Sequence, residues 1–297
     1  MEVKIYDRDL SSPTLDSDIS TRWERLWFST RLHGGFHLCS LRLKADLPEA
    51  WQWLVKRKFY RLVISDGPHT LWEGRIQDIG LSAGQAELKA YGYYASLNDG
   101  RYTAAYNDTP DAVIKTVLTA KCPQISSDQS HIDAMDVAVN SSAGEDYLDI
   151  SPRQIVEKLL PFSDSTHGEW YFAIWEGRIP YLFKRDDSTV TWKVRLADLA
   201  RFRLKHVGGN LWNNVYALYR SSGTLTRTAE NGDTDSQTKY GITRTYCIPD
   251  LGEVTAAAAQ SARDRWLQEH KDIWPSLEDI VLGNRVYNSN MIPYPSS

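Results

Sequence analysis

Three glycine-bearing turns, His33-Gly34-Gly35, Asp66-Gly67-Pro68 and Ser82-Ala83-Gly84, divide the first hundred residues into pieces of strand length. Glycine takes up the positive φ of a tight turn without a steric penalty, so a chain punctuated this way folds back on itself repeatedly. The pieces between (residues 22–32, 36–44, 60–65, 71–79 and 85–93) are rich in aromatic and branched side chains. They predict an antiparallel meander forming a small barrel or sandwich. In residues 36–44 the alternation is imperfect. His37, Cys39, Leu41 and Leu43 share one face, with Phe36, Leu38, Ser40, Arg42 and Lys44 on the other, and either face can be the buried one. Asp46-Leu47-Pro48 opens a helix across one end of the barrel, with Ala50, Trp51, Leu54 and Val55 at helical spacing.

Helical periodicity then takes over. Asp108-Thr109-Pro110-Asp111 combines a capping oxygen, an early proline and a first-turn acid ahead of the stripe Val113, Ile114, Val117 and Leu118. Residues 121–150 are polar and read as a long loop with one short strand at 135–139. Ser151-Pro152-Arg153-Gln154 matches a capping box before Ile155, Val156, Leu159 and Leu160. A hairpin at 169–184 turning at Glu176-Gly177, then a strand at 189–194, make this an α+β segment. Strands return at 202–207, 213–220, 225–228 and 243–248. Thr255 caps a helix over 256–269 with Ala259, Ala262, Trp266 and Leu267 on one face, and a late strand follows at 280–287. The expected fold class is mainly β with an α+β insert: a first antiparallel β-barrel over 1–100, a helix-containing α+β domain over 101–195, and a second β-barrel over 196–297 carrying the capped helix 255–270. A chain of 297 residues is long enough for several cores.

Composition then removes function classes. A net charge of −4 lacks the basic footprint that phosphate neutralisation needs, although a mildly acidic surface suits a channel through which DNA slides without sticking. No apolar run reaches the roughly 18–20 residues of a membrane-spanning helix, and the first 25 residues lack a signal-peptide core, so neither membrane insertion nor export is expected. Cys39, Cys122 and Cys247 are odd in number and far apart, and are expected as reduced core residues of a cytoplasmically assembled protein.

Motifs for chemistry are sparse. His33 and His37 flank a Gly-Gly turn instead of sharing a helix face, which disfavours a metal site. Residues 230–235 have the composition of a calcium loop without its spacing, and read as a solvated loop tip. Nucleophile elbows and phosphate-binding glycine loops do not occur, and no cofactor is expected. Glu73, Asp78, Glu169 and Glu176 lie near aromatic residues and are the acids that a β-rich glycoside hydrolase would need. The 11 Trp and 16 Tyr either form the sugar platform of a carbohydrate-binding module or fill cores and subunit interfaces, and their enrichment at interfaces favours the second. Trp27, Trp72, Trp212 and Tyr240 are the candidates for that core or interface role.

Taken in order, these elements resemble the hub proteins of siphophage tail tips and the baseplate hubs of contractile phage tails. The matching residues are the Val63-Ile64-Ser65-Asp66-Gly67 strand and turn leading into Trp72-Glu73-Gly74-Arg75-Ile76, and the capped helix from Ser151 ahead of the hairpin at 170–175. The strand at 215–219, Lys239-Tyr240-Gly241 and the alanine-rich helix complete the set. The resemblance covers nearly the full length and implies a structural virion protein of the tail tip, not an enzyme. It implies a homotrimer in which two barrels per subunit give a pseudo-sixfold collar, joining the tail tube to the tip around the DNA channel. It also implies contact with the distal tail or tail-tube ring, with other tail-tip proteins and the tape-measure protein, and with DNA only in transit. Some relatives carry a C-terminal lytic or fibre-binding extension. Because the sequence ends at Ser297, wall digestion and receptor binding are not expected of it.

Overall fold

The computed structural model describes residues 1–44, 46–82, 84–103, 107–140, 147–162, 169–185, 199–273 and 275–282. The strand expected at 189–194 and the end of the last strand, 283–287, lie outside them. The chain forms two compact units, one from Met1–Ser163 with Trp170–Lys184, the other from Asp164–Glu169 with Arg185–Ser297.

In the first unit two strands that were not expected, β1 (Glu2–Tyr6) and β2 (Leu15–Asp18), precede the expected ones, which are present as β3 (Trp23–Arg31), β4 (Gly34–Lys44), helix α1 (Leu47–Lys56), β5 (Arg61–Asp66), β6 (His69–Ser82) and β7 (Gln85–Tyr91). β8 (Asn107–Asp108), α2 (Pro110–Lys121), β9 (Val139–Asn140) and α3 (Pro152–Leu159) precede the hairpin β10 (Trp170–Ile174) and β11 (Pro180–Lys184). Pairing runs β11-β10-β4-β7-β6-β5-β1-β2, with β3 on the other edge of β4. Among the described residues β2 and β3 do not pair, so the sheet stays open where a closed barrel was expected. The linker between them explains this. Ile19 donates its amide to the Val3 carbonyl (2.9 Å) and Ser20 Oγ accepts from the Val3 amide (2.9 Å), so the chain keeps to β1 instead of folding β2 onto β3.

A bulge decides which face of β4 is buried. Phe28 pairs with Cys39 but Thr30 with Phe36, so Ser29 opposes two residues, His37 and Leu38. The extra residue reverses the alternation, and Phe36 joins Cys39, Leu41 and Leu43 in the core. Val3, Ile5, Leu62, Ile64 and Trp72 complete that core with Trp53 of α1. Asp46 caps α1 by accepting the Glu49 amide (2.9 Å), and the helix seats through Ala50 and Trp53. Trp51 and Val55, expected in the apolar stripe, are 60% and 59% exposed because an i, i+3 pair, not the i, i+4 pairs, faces the sheet.

The stripe of α2 is buried as expected, and the capping box of α3 forms, with Ser151 Oγ accepting the Gln154 amide and Gln154 Oε1 the Ser151 amide. β10 then joins β4 in parallel through Ala173–Gly34 and Ile174–Gly35. At Gly35 (φ +80°) a Cβ would stand 2.1 Å from the Ile174 carbonyl oxygen, so this glycine serves the turn and the close approach of β10 together.

The second unit comprises β12 (Leu199–His206), β13 (Asn214–Ser221), β14 (Thr224–Arg227), β15 (Asn231–Gly232), α4 (Thr234–Tyr240), β16 (Thr245–Ile248), α5 (Ala256–His270) and β17 (Pro275–Leu282). β12 pairs antiparallel with β17, while β13 centres a second sheet, antiparallel to β14 and β15 and parallel to β16. Among the described residues neither sheet closes, in place of the second barrel expected. Residues 230–235 are structural, not a free tip: Asp233 caps α4 by accepting the Ser236 amide (2.8 Å) and pairs with Lys271 (2.9 Å). α5, capped by Thr255, packs Leu267 on Val215, Ala217 and Ile248.

Cys39 and Cys122 are buried and Cys247 half-buried, all unbridged. Burial pushes the Cys39 thiol up to about 12 and, with a contribution from Asp99, the Cys122 thiol likewise. Since the thiolate is the reactive form, native protein near pH 8 is expected to show one fast reaction with an aromatic disulfide reagent, at Cys247, and two further thiols only on unfolding. Equal rates for all three would contradict this burial.

Candidate functional site

Each candidate residue occupies a different setting. Trp72 on β6 is fully buried, its ring centre 6.3 Å from that of Phe36. Trp27 on β3 opposes Ser40, on the face away from Cys39 and Leu41, and is 51% exposed. The two therefore lie on opposite faces of one sheet.

Trp212 and Tyr240 belong to the second unit and brace it from within. The Arg244 guanidinium lies 4.2 Å over Trp212, which tilts against Tyr246 at 5.4 Å. Tyr246 in turn stacks on Trp266 at 4.1 Å, and His270 stacks on Trp266 at 3.8 Å. A sugar platform needs an open ring face, whereas these half-buried rings already pack on one another and on Arg244. Tyr240 donates to Asp272 (3.1 Å) and accepts from the Ile273 amide (3.1 Å), tying the end of α4 to the chain beyond α5.

Asn213, fully buried just before β13, joins three segments. Its side-chain amide donates to the Ile242 carbonyl (2.8 Å) and Ser236 Oγ (3.2 Å), and its Oδ1 accepts the Arg244 amide (2.9 Å). The backbone carbonyl of Asn213 accepts from the Asp233 amide (3.0 Å) and Gln237 Nε2 (3.1 Å). With partners 20 to 31 residues away, its role has no signature in local spacing.

The acids weighed for hydrolysis are engaged separately. Glu73 is 1% exposed, ion-paired with Arg61 at 3.1 Å, and accepts the Gly177 amide at 3.0 Å. Burial outweighs those partners and pushes its carboxyl above the usual range. A substrate cannot reach it. Glu176 accepts from Thr70 (2.7 Å), Asp78 from Tyr91 (3.3 Å), and Glu169 pairs with Arg185 (3.0 Å). His33 meets the Tyr94 hydroxyl at 2.8 Å and His37 meets Ser29 at 3.3 Å. Among the described residues no three His, Cys, Asp or Glu side chains converge as metal ligands would.

No protein-family model matches the chain, and no curated protein sequence does either. Solved structures do share its fold. Prophage tail protein gp18 from Listeria monocytogenes EGD-e superposes with a TM-score of 0.60 over 93% of this chain and 79% of its own, at 11% identity. The tail protein from Neisseria meningitidis MC58 gives 0.57 over 95% and 84%, at 13% identity. The 43 kDa tail protein of prophage MuSo2 from Shewanella oneidensis gives 0.55 over 91% and 80%, at 12% identity. Phage tail proteins are thus the structural neighbours of this chain, at identities where the likeness is one of fold.

Proposed function

We propose that this chain, which shares its fold with phage tail proteins, is a structural hub of a phage tail tip or baseplate. The observation that carries the reading is the extent of the likeness: each of the three tail proteins matches more than nine-tenths of the chain. In this reading three copies form a ring in which residues 1–100 and 196–297 act as two similar repeats around the DNA channel, with residues 101–195 between them. Repeating one interface inside the chain lets a threefold tip meet a sixfold tube. Its neighbours are the tail-tube or distal tail ring, other tip proteins and the tape-measure protein, and it is assembled in the host cytoplasm before joining the virion.

Purified protein is expected to elute at three times the mass of one chain by light scattering, and to appear as rings with a central opening in negative stain. A monomer at every concentration tested would overturn the ring. A monomer that released reducing sugar from cell-wall glycan, or bound it, would replace the hub by a hydrolase or a carbohydrate-binding module.

A further inference from the structure

We infer that β3 is a docking edge for an acidic, extended segment of a partner protein, which adds to the sheet as a further strand and sets carboxylates against Arg25 and Arg31 with an apolar side chain on Trp27. Three independent observations converge on this strand. First, β3 pairs with β4 alone among the described residues, so nine residues of backbone carry an edge without a strand partner. Natural sheets cover or blunt such edges, and an extended segment that fills one gains a row of main-chain hydrogen bonds.

Second, Arg25, Trp27, Ser29 and Arg31 alternate along the outer face of that same strand. Trp27 is exposed, and no ring or cation stacks on it among the described residues. Third, the neighbouring cations are neutralised, Arg22 by Glu49, Arg42 by Glu87 and Lys44 by Glu24, whereas Arg25 and Arg31 are exposed and have no acidic partner among the described residues. Arg25 directly opposes Arg42, whose charge Glu87 already takes up, so the Arg25 guanidinium is left to an incoming carboxylate. Burial first, then the charges of Arg31 and Arg153, hold the His37 imidazole below the usual histidine range.

Side chains six residues apart on a strand are separated by about 20 Å, and cross-strand neighbours sit at about 5 Å, so the matching segment places acids six residues apart with an apolar residue between. Nucleic acid fits less well. It would need a basic track along its phosphates, and two guanidiniums so far apart with one stacking ring do not supply one. The inference does not rest on the ring reading: a monomer would still dock the segment, and a ring indifferent to it would remain a ring.

The test titrates the full chain with an end-blocked nine-residue peptide bearing glutamates at its second and eighth places, valines at its fourth and sixth, and threonines elsewhere, which fits either strand direction. Saturable binding is expected, weakened by salt, with slowed amide exchange confined to β3 and the ends of β4. Arg25→Glu with Arg31→Glu, and separately Trp27→Ala, are expected to weaken it at least about tenfold without moving the melting temperature, because all three side chains are exposed. Absence of saturation at millimolar peptide would overturn the proposal. So would equal binding of a peptide with lysines for the glutamates, or slowed exchange elsewhere than β3. Tight binding of oligothymidylate through the same residues would replace the acidic segment by a nucleic acid.

Discussion

Trp72→Ala is expected to lower the unfolding free energy of the first unit by about 3–5 kcal/mol, the range for truncating a large buried aromatic side chain. The indole is fully buried and reaches over Gly74, where a Cβ would stand 2.4 Å from its Cη2 atom. The void cannot close easily, because β6 is held by β5 from His69 to Arg75 and by β7 from Arg75 to Ser82. Phe36, packed on Trp72, also meets Trp175 at 5.2 Å, so the loss propagates to the turn of the β10–β11 hairpin. The indole N–H has no hydrogen-bond partner, so Trp72→Phe forfeits volume but no bond and should recover much of the stability. Urea unfolding of the three proteins measures this, with the slope checked for constancy. A shift for Trp72→Ala below about 1 kcal/mol would remove this residue from the core's main supports. Trp27→Ala, exposed on the other face, is the internal control.

Asn213→Asp is expected to cost the second unit about 3 kcal/mol or more while changing almost no volume. The substitution replaces two donors by acceptors, so an oxygen faces the Ile242 carbonyl where an N–H stood. Each buried group left unsatisfied costs about 1–3 kcal/mol, and a buried charge without a partner adds to this. Burial raises the pKa of the introduced carboxyl in the folded state. The folded protein would then bind a proton that the unfolded chain has already released, and the variant's deficit should grow as pH rises from about 4 towards 7. Amide exchange would report the location, with opening accelerated in β13, α4 and β16 and unchanged in β1 to β7. A variant as stable as the parent at both ends of that pH range would show that Asn213 does not join these segments.

Features written in neighbouring residues were legible in the sequence. The strands of the first meander, the buried stripe of α2, the capping box at Ser151 and Gln154 and the cap at Thr255 all arise within a few positions, and all are present. Features settled by distant partners were not. Closure of the first sheet turned on two hydrogen bonds between Val3 and the linker after β2, sixteen and seventeen positions away. The face of β4 depended on where one extra residue was accommodated against β3, which alternation alone cannot locate. α4 was hidden because Asp233, Thr234 and Asp235 are turn formers as readily as helix caps, and the choice was made by Asn213 and Lys271. Nothing in the residues around Glu73 marks it as buried, because the amide that meets its carboxyl, that of Gly177, comes 104 positions later.

The parallel entry of β10 beside Gly34 and Gly35 of β4 carries a consequence for synthesis on the ribosome. β4 is made early, yet the strand that docks against its first residues begins about eighty residues after the end of β7. At roughly 5–20 residues per second, the roughly 135 residues from Gly35 to Trp170 leave that part of β4 exposed for about 7–27 seconds before its partner has been polymerised. The first unit is therefore completed from both ends of its own sequence, and a chain released before Lys184 leaves the tunnel would be a meander with a raw edge, open to other chains in the same polysome.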